Sequence, residues 1–334
     1  MKKLGQITPE IWEGVNEFNK TILEDFLVNS TELSPKSRIA YESNLKIWFV
    51  WVKDNLNNKK QIDIKPLEYK KFQNWMVNRG CSSADVNNKR AAISSLNGYI
   101  EIYYNEEYPM FRNFINKSIK RPAKKIVREK EPLTKEELKN LIAKLEEMGE
   151  YQKVAYVLFT FETGCRRAAS RQLLKSVVNA TPIKKQRIIT DDQGNEATEE
   201  FVVYQTHSIR EKGAGEQGKL RKLSFGEESM SAMKRWLEYR GEDECPYMFV
   251  TRYNGEIHQV GETTFNKWFT TTISQIVGRP IHPHTLRASR ATQAVVEEGK
   301  DVEAVKQLLG HEDQSTTLNF YIIKNDDEAI DDLF

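Results

Sequence analysis

The stretch "LLGHEDQSTTLNFY", Leu308 to Tyr321, marks two helix boundaries in a row. Gly310 follows an apolar helical pattern, as a glycine does when it ends a helix. His311 comes directly after it, and a short polar run leads to Tyr321. Two interpretations are open: a packed helix–turn–helix with an aromatic anchor, or a tyrosine hydroxyl and a histidine brought together for chemistry.

Far upstream of this stretch, the segment from about Ile11 to Phe114 is helical in pattern. Ser34 is a predicted N-cap, and Pro35 occupies the first helical position after it. Apolar side chains then recur at helical spacing. Two further segments of the same kind follow, "PLEYKKFQNWMVNRG" and "SADVNNKRAAISSLNGYIEIYY". We predict a compact bundle of four or five helices.

A second domain is predicted to begin at "LTKEEL", where Thr134 and Glu137 form a capping box. Helical patterning continues to about Leu174, and then short β-rich segments separated by turn-like sequences predict a three-stranded antiparallel sheet between about Pro182 and Phe225. Four helical segments follow it. The predicted fold is mainly α with a small antiparallel β-sheet in the C-terminal domain.

Length and composition agree with two globular domains in a reducing compartment. The chain has 334 residues, 39% of them hydrophobic, and a net charge of +2. Its three cysteines, Cys81, Cys165 and Cys245, are far apart, and no CxxC pair occurs, which favours a reduced cytoplasmic protein without a cysteine zinc site. The N-terminus lacks the apolar core of a signal peptide, and no apolar run is long enough to span a membrane.

Positive charge is concentrated in the middle of the chain. The segment "KSIKRPAKKIVREK", residues 117–130, has seven Lys or Arg residues against one Glu and contains a proline. Such a segment is either a solvated connector or a linker that follows a polyanion such as DNA. The candidate DNA-binding residues are Lys117, Lys120, Arg121, Lys124, Lys125 and Arg128.

Three further segments carry side chains suited to phosphate chemistry. "HPHTLRASR" places His284 and Arg287 three residues apart near a predicted helix start, where free N–H groups favour an anion. In "ETGCRRAASRQLL", Gly164 could turn the backbone and bring Arg166 inward, and Lys212 lies at a predicted hairpin tip. Taken singly, these segments are more often a surface His/Arg pair, an exposed arginine-rich helix and a solvated hairpin tip.

Taken together, these side chains form a set suited to phosphoryl transfer. Guanidinium groups bind phosphate by paired hydrogen bonds and stabilise the charge of the transition state. A tyrosine hydroxyl, with an ordinary pKa near 10, needs a base or a positive site to become a nucleophile, and a lysine can protonate the leaving oxygen. The histidines lack a metal-binding spacing such as HExxH, so a metal site is not predicted.

At this point the sequence resembles a known family. "TGCRR", "PHTLR" and "LLGHEDQSTTLNFY" are similar, in order and spacing, to the three catalytic motifs of the tyrosine recombinases, the phage-integrase family. The resemblance covers about Pro132 to Tyr321. The helical N-terminal region is similar in pattern to the SAM-like core-binding domain of the same family.

The resemblance implies roles for the arginines and histidines. Arg166 and Arg287 would be the two catalytic arginines at the scissile phosphate. His284 would assist proton transfer and bind the phosphate, and His311 would hydrogen-bond to it. Arg167 is a lesser rival to Arg166.

The resemblance also implies the nucleophile and the acid. Tyr321 would attack the phosphate, form a 3′-phosphotyrosyl intermediate and release a 5′-hydroxyl. Lys212, in the β-hairpin, would be the general acid, with Lys219 as a rival because the hairpin is long. No metal or cofactor is implied.

The implied organisation is a helical core-binding domain over residues 1–116, a basic linker over 117–131, a catalytic domain over 132–323 and an acidic tail over 324–334. The tail is either a frayed terminus or a segment that docks onto a neighbouring subunit. The implied partners are double-stranded DNA with a specific recombination site, further copies of the chain (a dimer on each site and a tetramer on two), and an accessory DNA-bending or directionality protein. A prokaryotic cytoplasmic location, at the nucleoid, is implied.

Some positions depart from the family pattern. Many members have an acidic residue three positions after the first arginine, where this chain has Ala169, so the orienting role of that acid falls to another residue or is missing. Ala288 and Ser289 replace the usual His-Thr. Ala169 keeps open a non-catalytic DNA-binding regulator of the same fold. A type IB topoisomerase-like enzyme that relaxes DNA is a second alternative, because such enzymes use a similar set of catalytic residues.

Overall fold

The computed structural model describes residues 7–115, 119–123, 131–190, 196–211 and 218–310. These residues form two compact units. All described residues up to Ala123 belong to the first unit, and all from Glu131 onward belong to the second. Each unit has its own hydrophobic core. None of the helices described is long and apolar enough to cross a membrane.

The first unit is a helical bundle, as predicted. Ser34 caps the longest predicted helix by accepting a hydrogen bond from the Ser37 amide, and Pro35 is its first residue. A short 3-10 turn spans Gln61–Asp63. The α-helices of residues 7–115 are α1 (Pro9–Glu13), α2 (Glu17–Asn29), α3 (Pro35–Asn55), α4 (Pro66–Asn78) and α5 (Ser83–Tyr103).

An aromatic cluster and a buried polar relay hold this bundle together. The rings of Trp48 and Phe72 meet edge to face with centroids 4.9 Å apart. The Trp48 indole donates to Gln61 Oε1 at 2.7 Å, and Gln61 Nε2 donates to Asn97 Oδ1 at 2.6 Å. The relay therefore joins α3 to α5 through the 3-10 turn, and it satisfies polar groups that would be costly to bury unpaired.

The beginning of the basic segment is attached to the first unit. Ile119 packs against the core of the bundle. Gln73 Nε2, on α4, donates to the carbonyl of Lys120 at 3.1 Å. The side chains of Lys120 and Arg121 are exposed. The boundaries of the linker at 117–131 stay a prediction.

The second unit is built around a buried helix, α7 (Tyr151–Thr163). The predicted capping box at Thr134 and Glu137 is present at the start of α6 (Lys135–Glu147). On α7 the ring of Tyr156 stacks on Phe265 of α10 with centroids 4.3 Å apart, and α7 also packs against α6, α9 and α12. The described helices of this unit are α6 (Lys135–Glu147), α7 (Tyr151–Thr163), α8 (Arg167–Ser170), α9 (Glu227–Arg240), α10 (Glu262–Trp268), α11 (Ser274–Val277), α12 (Pro283–Thr292) and α13 (Val302–Leu309).

The β-structure is antiparallel, but its strands divide differently from the prediction. The segments expected as the second and third strands each break in two. One sheet has the order β1-β2-β5, and β3 pairs with β4 in a separate hairpin. The described strands are β1 (Ile183–Thr190), β2 (Glu196–Gln205), β3 (Ile209–Glu211), β4 (Lys219–Arg221), β5 (Ser224–Phe225), β6 (Val250–Tyr253) and β7 (Glu256–Gln259).

A side-chain hydrogen bond explains the break. The Thr206 amide donates to the Leu223 carbonyl at 3.0 Å, and the Thr206 hydroxyl accepts from the Leu223 amide at 3.0 Å. This local pairing replaces the regular ladder between the two sheets. The β6–β7 hairpin was not predicted, although Asn254-Gly255 at its turn, both with positive φ, is the usual signal for a two-residue hairpin.

Candidate active site

The end of α7 turns sharply and sets the position of Arg166. Gly164 adopts a left-handed conformation with φ +57° at the C-cap of α7. A Cβ built at Gly164 would lie 2.5 Å from Cδ2 of Leu309, so only glycine fits this approach of α13. Cys165 follows and is buried, and Arg166 is the N-cap residue of α8. The turn at Gly164 predicted from the sequence is confirmed.

The start of α12 brings His284 and Arg287 onto one face. His282 is the N-cap residue and Pro283 the first helical residue, so the predicted helix start is confirmed. Arg287 is only 5% exposed. Its guanidinium donates to the carbonyls of Gly164 and Leu309, the latter at 2.5 Å. One side chain thus joins the C-terminal ends of α7 and α13.

Positive charge is concentrated around these residues. Burial, followed by the charge of Arg166, lowers the pKa of Arg287 to about 10, so this guanidinium stays protonated at neutral pH. Burial is also the main cause that lowers the pKa of His284, and the charges of His282 and Arg287 add to it. His284 is therefore held neutral near pH 7 and can accept a proton.

A buried carboxylate, Glu211 at the end of β3, lies among these guanidinium groups. Its Oε1 lies 3.9 Å from Nη1 of Arg166. Its Oε2 accepts a hydrogen bond of 3.3 Å from Nη1 of Arg221, on β4. In the antiparallel register Ile209 is paired with Arg221, which puts Arg221 on the same inward face as Ile209 and Glu211.

The last turn of α13 packs against the same group. Arg221 Nη2 donates to the carbonyl of Leu308 at 2.5 Å. Gly310 ends α13 in a left-handed conformation with φ +64°, which confirms the predicted C-cap. A Cβ at Gly310 would lie 2.5 Å from Nη1 of Arg221 and 3.1 Å from Oε2 of Glu211. Arg221 and Arg287 therefore both donate hydrogen bonds to the C-terminal carbonyls of α13, directly before residue 311.

Sequence reasoning missed Glu211 and Arg221. The alternating pattern of "SIRE" and "KLRK" was visible, but it did not show which residues would face the site. The strand break at Thr206, which creates the small β3–β4 hairpin, had no signal beyond a threonine between two β-rich runs.

Arg167 is the alternative to Arg166, and Lys219 is the alternative to Lys212. Arg167 donates to Asn266 Oδ1 at 2.6 Å and to Glu262 Oε2 at 2.9 Å, so its guanidinium is directed at α10. Lys219 is exposed and stands opposite Glu211 in the β3–β4 register. The predicted site residues outside the described part of the chain are Lys212, His311, Tyr321, Lys117, Lys124, Lys125 and Arg128.

The departures from the family pattern have structural counterparts. Ala169 is buried in the core of the second unit. Ser289 donates to the Thr285 carbonyl at 2.8 Å, and its hydroxyl accepts from the Leu133 amide at 2.7 Å. Ser289 thus joins the segment before α6 to α12. In the described ranges, no group of three or more His, Cys, Asp or Glu side chains is placed to hold a metal ion.

Comparison with known proteins decides the family. The model of the phage integrase family matches residues 131–328. The chain belongs to the phage integrase family. Its members, the tyrosine recombinases, cleave and rejoin DNA, so the resemblance seen in the sequence is confirmed. The SPbeta prophage-derived recombinase-like protein YomM of Bacillus subtilis (strain 168) is 30% identical over 336 residues, which span 99% of this chain and 95% of that protein.

Solved integrase structures share the fold. The Tn1549 transposon integrase in complex with circular intermediate DNA superposes with a TM-score of 0.66 at 14% identity, over 91% of this chain and 94% of that one. A lambda integrase tetramer bound to a Holliday junction gives 0.59 at 15% identity, over 95% of this chain and 82% of that one. The predicted mainly helical fold with small antiparallel sheets is therefore that of the integrases.

Proposed function

We propose that this tyrosine recombinase cleaves and rejoins DNA at a specific site through a covalent link between Tyr321 and a 3′-phosphate. The observation that carries the proposal is the cationic group at the ends of α7, α12 and α13. There the guanidinium groups of Arg166 and Arg287 both lie near enough to act on His284, which is exposed at the start of α12. A phosphodiester entering this group would meet fixed positive charge, part of it on the buried guanidinium of Arg287, where electrostatic stabilisation is stronger than in water.

The chemistry proposed for the site begins at the nucleophile. The Oη–P bond of Tyr321 forms as the P–O5′ bond of the DNA breaks. The proton of the tyrosine hydroxyl passes to His284, which is neutral and can take it. Arg166 and Arg287 stabilise the additional negative charge on the phosphate oxygens.

The leaving oxygen needs a proton of its own. Lys212 supplies it to the 5′-oxygen, with Lys219 as the alternative donor, and His311 hydrogen-bonds to the phosphate. Attack by the 5′-hydroxyl of a second strand reverses the step and frees Tyr321. The phosphodiester energy is kept in the covalent link, so no cofactor is needed.

The proposed assembly follows the same logic. The core-binding domain over 1–116 and the catalytic domain over 132–323 hold the DNA, joined by the basic linker over 117–131. A dimer on each site and a tetramer on two sites exchange the strands, and the acidic tail over 324–334 docks onto a neighbouring subunit. A lambda integrase tetramer on a Holliday junction supports this stoichiometry. An accessory DNA-bending protein and a cytoplasmic location at the nucleoid complete the proposal.

The test is covalent capture. The purified chain is incubated with a library of nicked duplexes that carry a randomised site, and DNA that stays bound in detergent is amplified and sequenced. The proposal expects a defined sequence to be enriched by the wild-type chain and no covalent DNA with Tyr321→Phe, which should still bind the duplex. Sequence-specific binding without any adduct would favour the regulator. Relaxation of any supercoiled plasmid without strand exchange would favour the topoisomerase.

A further inference from the structure

Glu211 is a buried acidic side chain in a group of cations. Its side chain is 4% exposed. Burying a carboxylate costs free energy unless charged or hydrogen-bonded partners compensate. Within the described residues, its ion-pair partners are Arg166 and Arg221. Its position is therefore explained by those two guanidinium groups.

The contact between Glu211 and Arg166 is longer than a hydrogen bond. Charge-assisted hydrogen bonds between guanidinium and carboxylate groups close to about 2.7–2.9 Å, whereas Arg166 Nη1 and Glu211 Oε1 are 3.9 Å apart. Both atoms are buried and, within the described part of the chain, neither has a hydrogen-bond partner. The two groups are thus near enough to attract each other, but they do not form a hydrogen bond.

The contact between Glu211 and Arg221 is a hydrogen bond, and Arg221 also binds the end of α13. Arg221 uses Nη1 for Glu211 and Nη2 for the carbonyl of Leu308. Glu211 Oε2 also lies against Gly310, the last described residue before His311. One carboxylate therefore acts on Arg166 and, through Arg221, on the end of α13.

We propose that Glu211 is a positioning residue for the recombination reaction. It is the counter-ion that holds Arg166 and Arg221 in place for the scissile phosphate, in the part of the site where residue 169 supplies no carboxylate. The phosphate then meets the accessible part of the Arg166 side chain, which is 28% exposed. This inference rests on the proposed function.

The decisive variant is Glu211→Gln, which keeps the shape and an acceptor oxygen but removes the charge. The cleavage rate per folded molecule should fall at least about tenfold, because a charge-assisted contact is worth more than a neutral one. The affinity for duplex DNA at low salt should rise severalfold, since a negative charge leaves a phosphate-binding group. Glu211→Asp, which keeps the charge on a shorter stem, should recover part of the rate.

A matched control is Glu162→Gln. Glu162 is also a mostly buried carboxylate of the second unit, but it accepts from the Gly226 and Ser229 amides at the start of α9 and not from an arginine. It should change stability and leave the rate per folded molecule and the DNA affinity unchanged.

Single-turnover cleavage of the captured site, DNA binding and thermal unfolding are measured on the full-length variants. A slower rate with tighter DNA binding for Glu211→Gln supports the inference. Wild-type cleavage by this variant, or losses of rate and affinity that match the loss of folded protein, would overturn it.

If Glu211→Gln does not fold, the cleavage rate of Glu211→Asp is the test instead. A wild-type rate of Glu211→Asp would show that the length of the Glu211 side chain is not needed for positioning, and it would count against the inference. If the wild-type chain forms no covalent adduct with DNA, the proposed function is wrong. An unchanged DNA affinity of Glu211→Gln would contradict the inference on Glu211 separately.

Discussion

Arg287 and Arg166 have the same side chain but are held in different ways. Arg287 is buried and donates to two backbone carbonyls, those of Gly164 and Leu309. The side chain of Arg166 is 28% exposed, and its Nη1 has no hydrogen-bond partner among the described residues. Arg287 therefore contributes to the fold as well as to the charge of the site, whereas Arg166 contributes mainly to the charge.

Substituting lysine for each arginine separates these contributions. Lysine replaces the planar fork by a single point charge. Arg287→Lys leaves a buried carbonyl unpaired, which should lower the free energy of unfolding by about 1–3 kcal/mol. Arg166→Lys, the control, should stay within about 0.5 kcal/mol of wild type. Urea denaturation measures both, and equal stabilities of the two variants would contradict the account.

His284 makes the stability of the second unit depend on pH. Burial and the neighbouring charges lower its pKa in the folded chain, while the unfolded value stays near about 6.5. Its contribution to stability is therefore present above pH of about 6.5 and is lost as the pH falls toward the folded value.

The comparison is denaturation at pH 7.5 and at pH 5.5. Wild type should lose more stability on acidification than His284→Gln, because the variant lacks the depressed group. His207→Gln, which removes an exposed histidine, should behave like wild type. An equal loss in wild type and His284→Gln would show that His284 is not held neutral.

At the scale of elements, the site depends on two tight helix ends. Gly164 and Gly310 are both left-handed, and a Cβ at either would lie 2.5 Å from another side chain. Gly278 ends α11 with φ +80° and has no atom within 4 Å of an added Cβ. Gly278→Ala therefore measures the backbone cost alone, roughly 1–2 kcal/mol.

Gly164→Ala and Gly310→Ala should each cost more than this control, because the added methyl also displaces Leu309 or Arg221. Thermal unfolding ranks the three variants. Gly310→Ala should in addition slow cleavage, since Arg221 must move. A Gly310→Ala variant as stable as Gly278→Ala would mean that the end of α13 is loosely packed.

Local signals predicted much of this architecture. The caps at Ser34 and Thr134 follow from side-chain hydrogen bonds to amides three residues on, and the end of α13 follows from the backbone freedom of Gly310, so all three can be predicted from the sequence. The division of the sheet depends on the hydrogen bonds between Thr206 and Leu223, and the position of Glu211 depends on the resulting hairpin. These are long-range consequences of packing, and neither periodicity nor spacing encodes them.

At the scale of the whole molecule, DNA affinity should depend on salt through the basic segment. Lys120 and Arg121 are exposed where this segment leaves the first bundle. If each contacts a phosphate, Lys120→Ala and Arg121→Ala should each reduce the slope of log affinity against log salt by about 0.9. Lys135→Ala is the control, because Lys135 pairs with Glu297 at 2.9 Å. Unchanged slopes for Lys120→Ala and Arg121→Ala would show that these two residues of the basic segment do not contact DNA phosphates.

A covalent link between Tyr321 and DNA is measured most directly by the mass of the peptide joined to DNA. The covalent complex formed on the captured site is digested with a protease and a nuclease, and the modified peptide is sequenced by mass spectrometry. We expect a nucleotide attached through its 3′-phosphate to Tyr321. The same mass on another tyrosine, or a link to a 5′-phosphate, would contradict it.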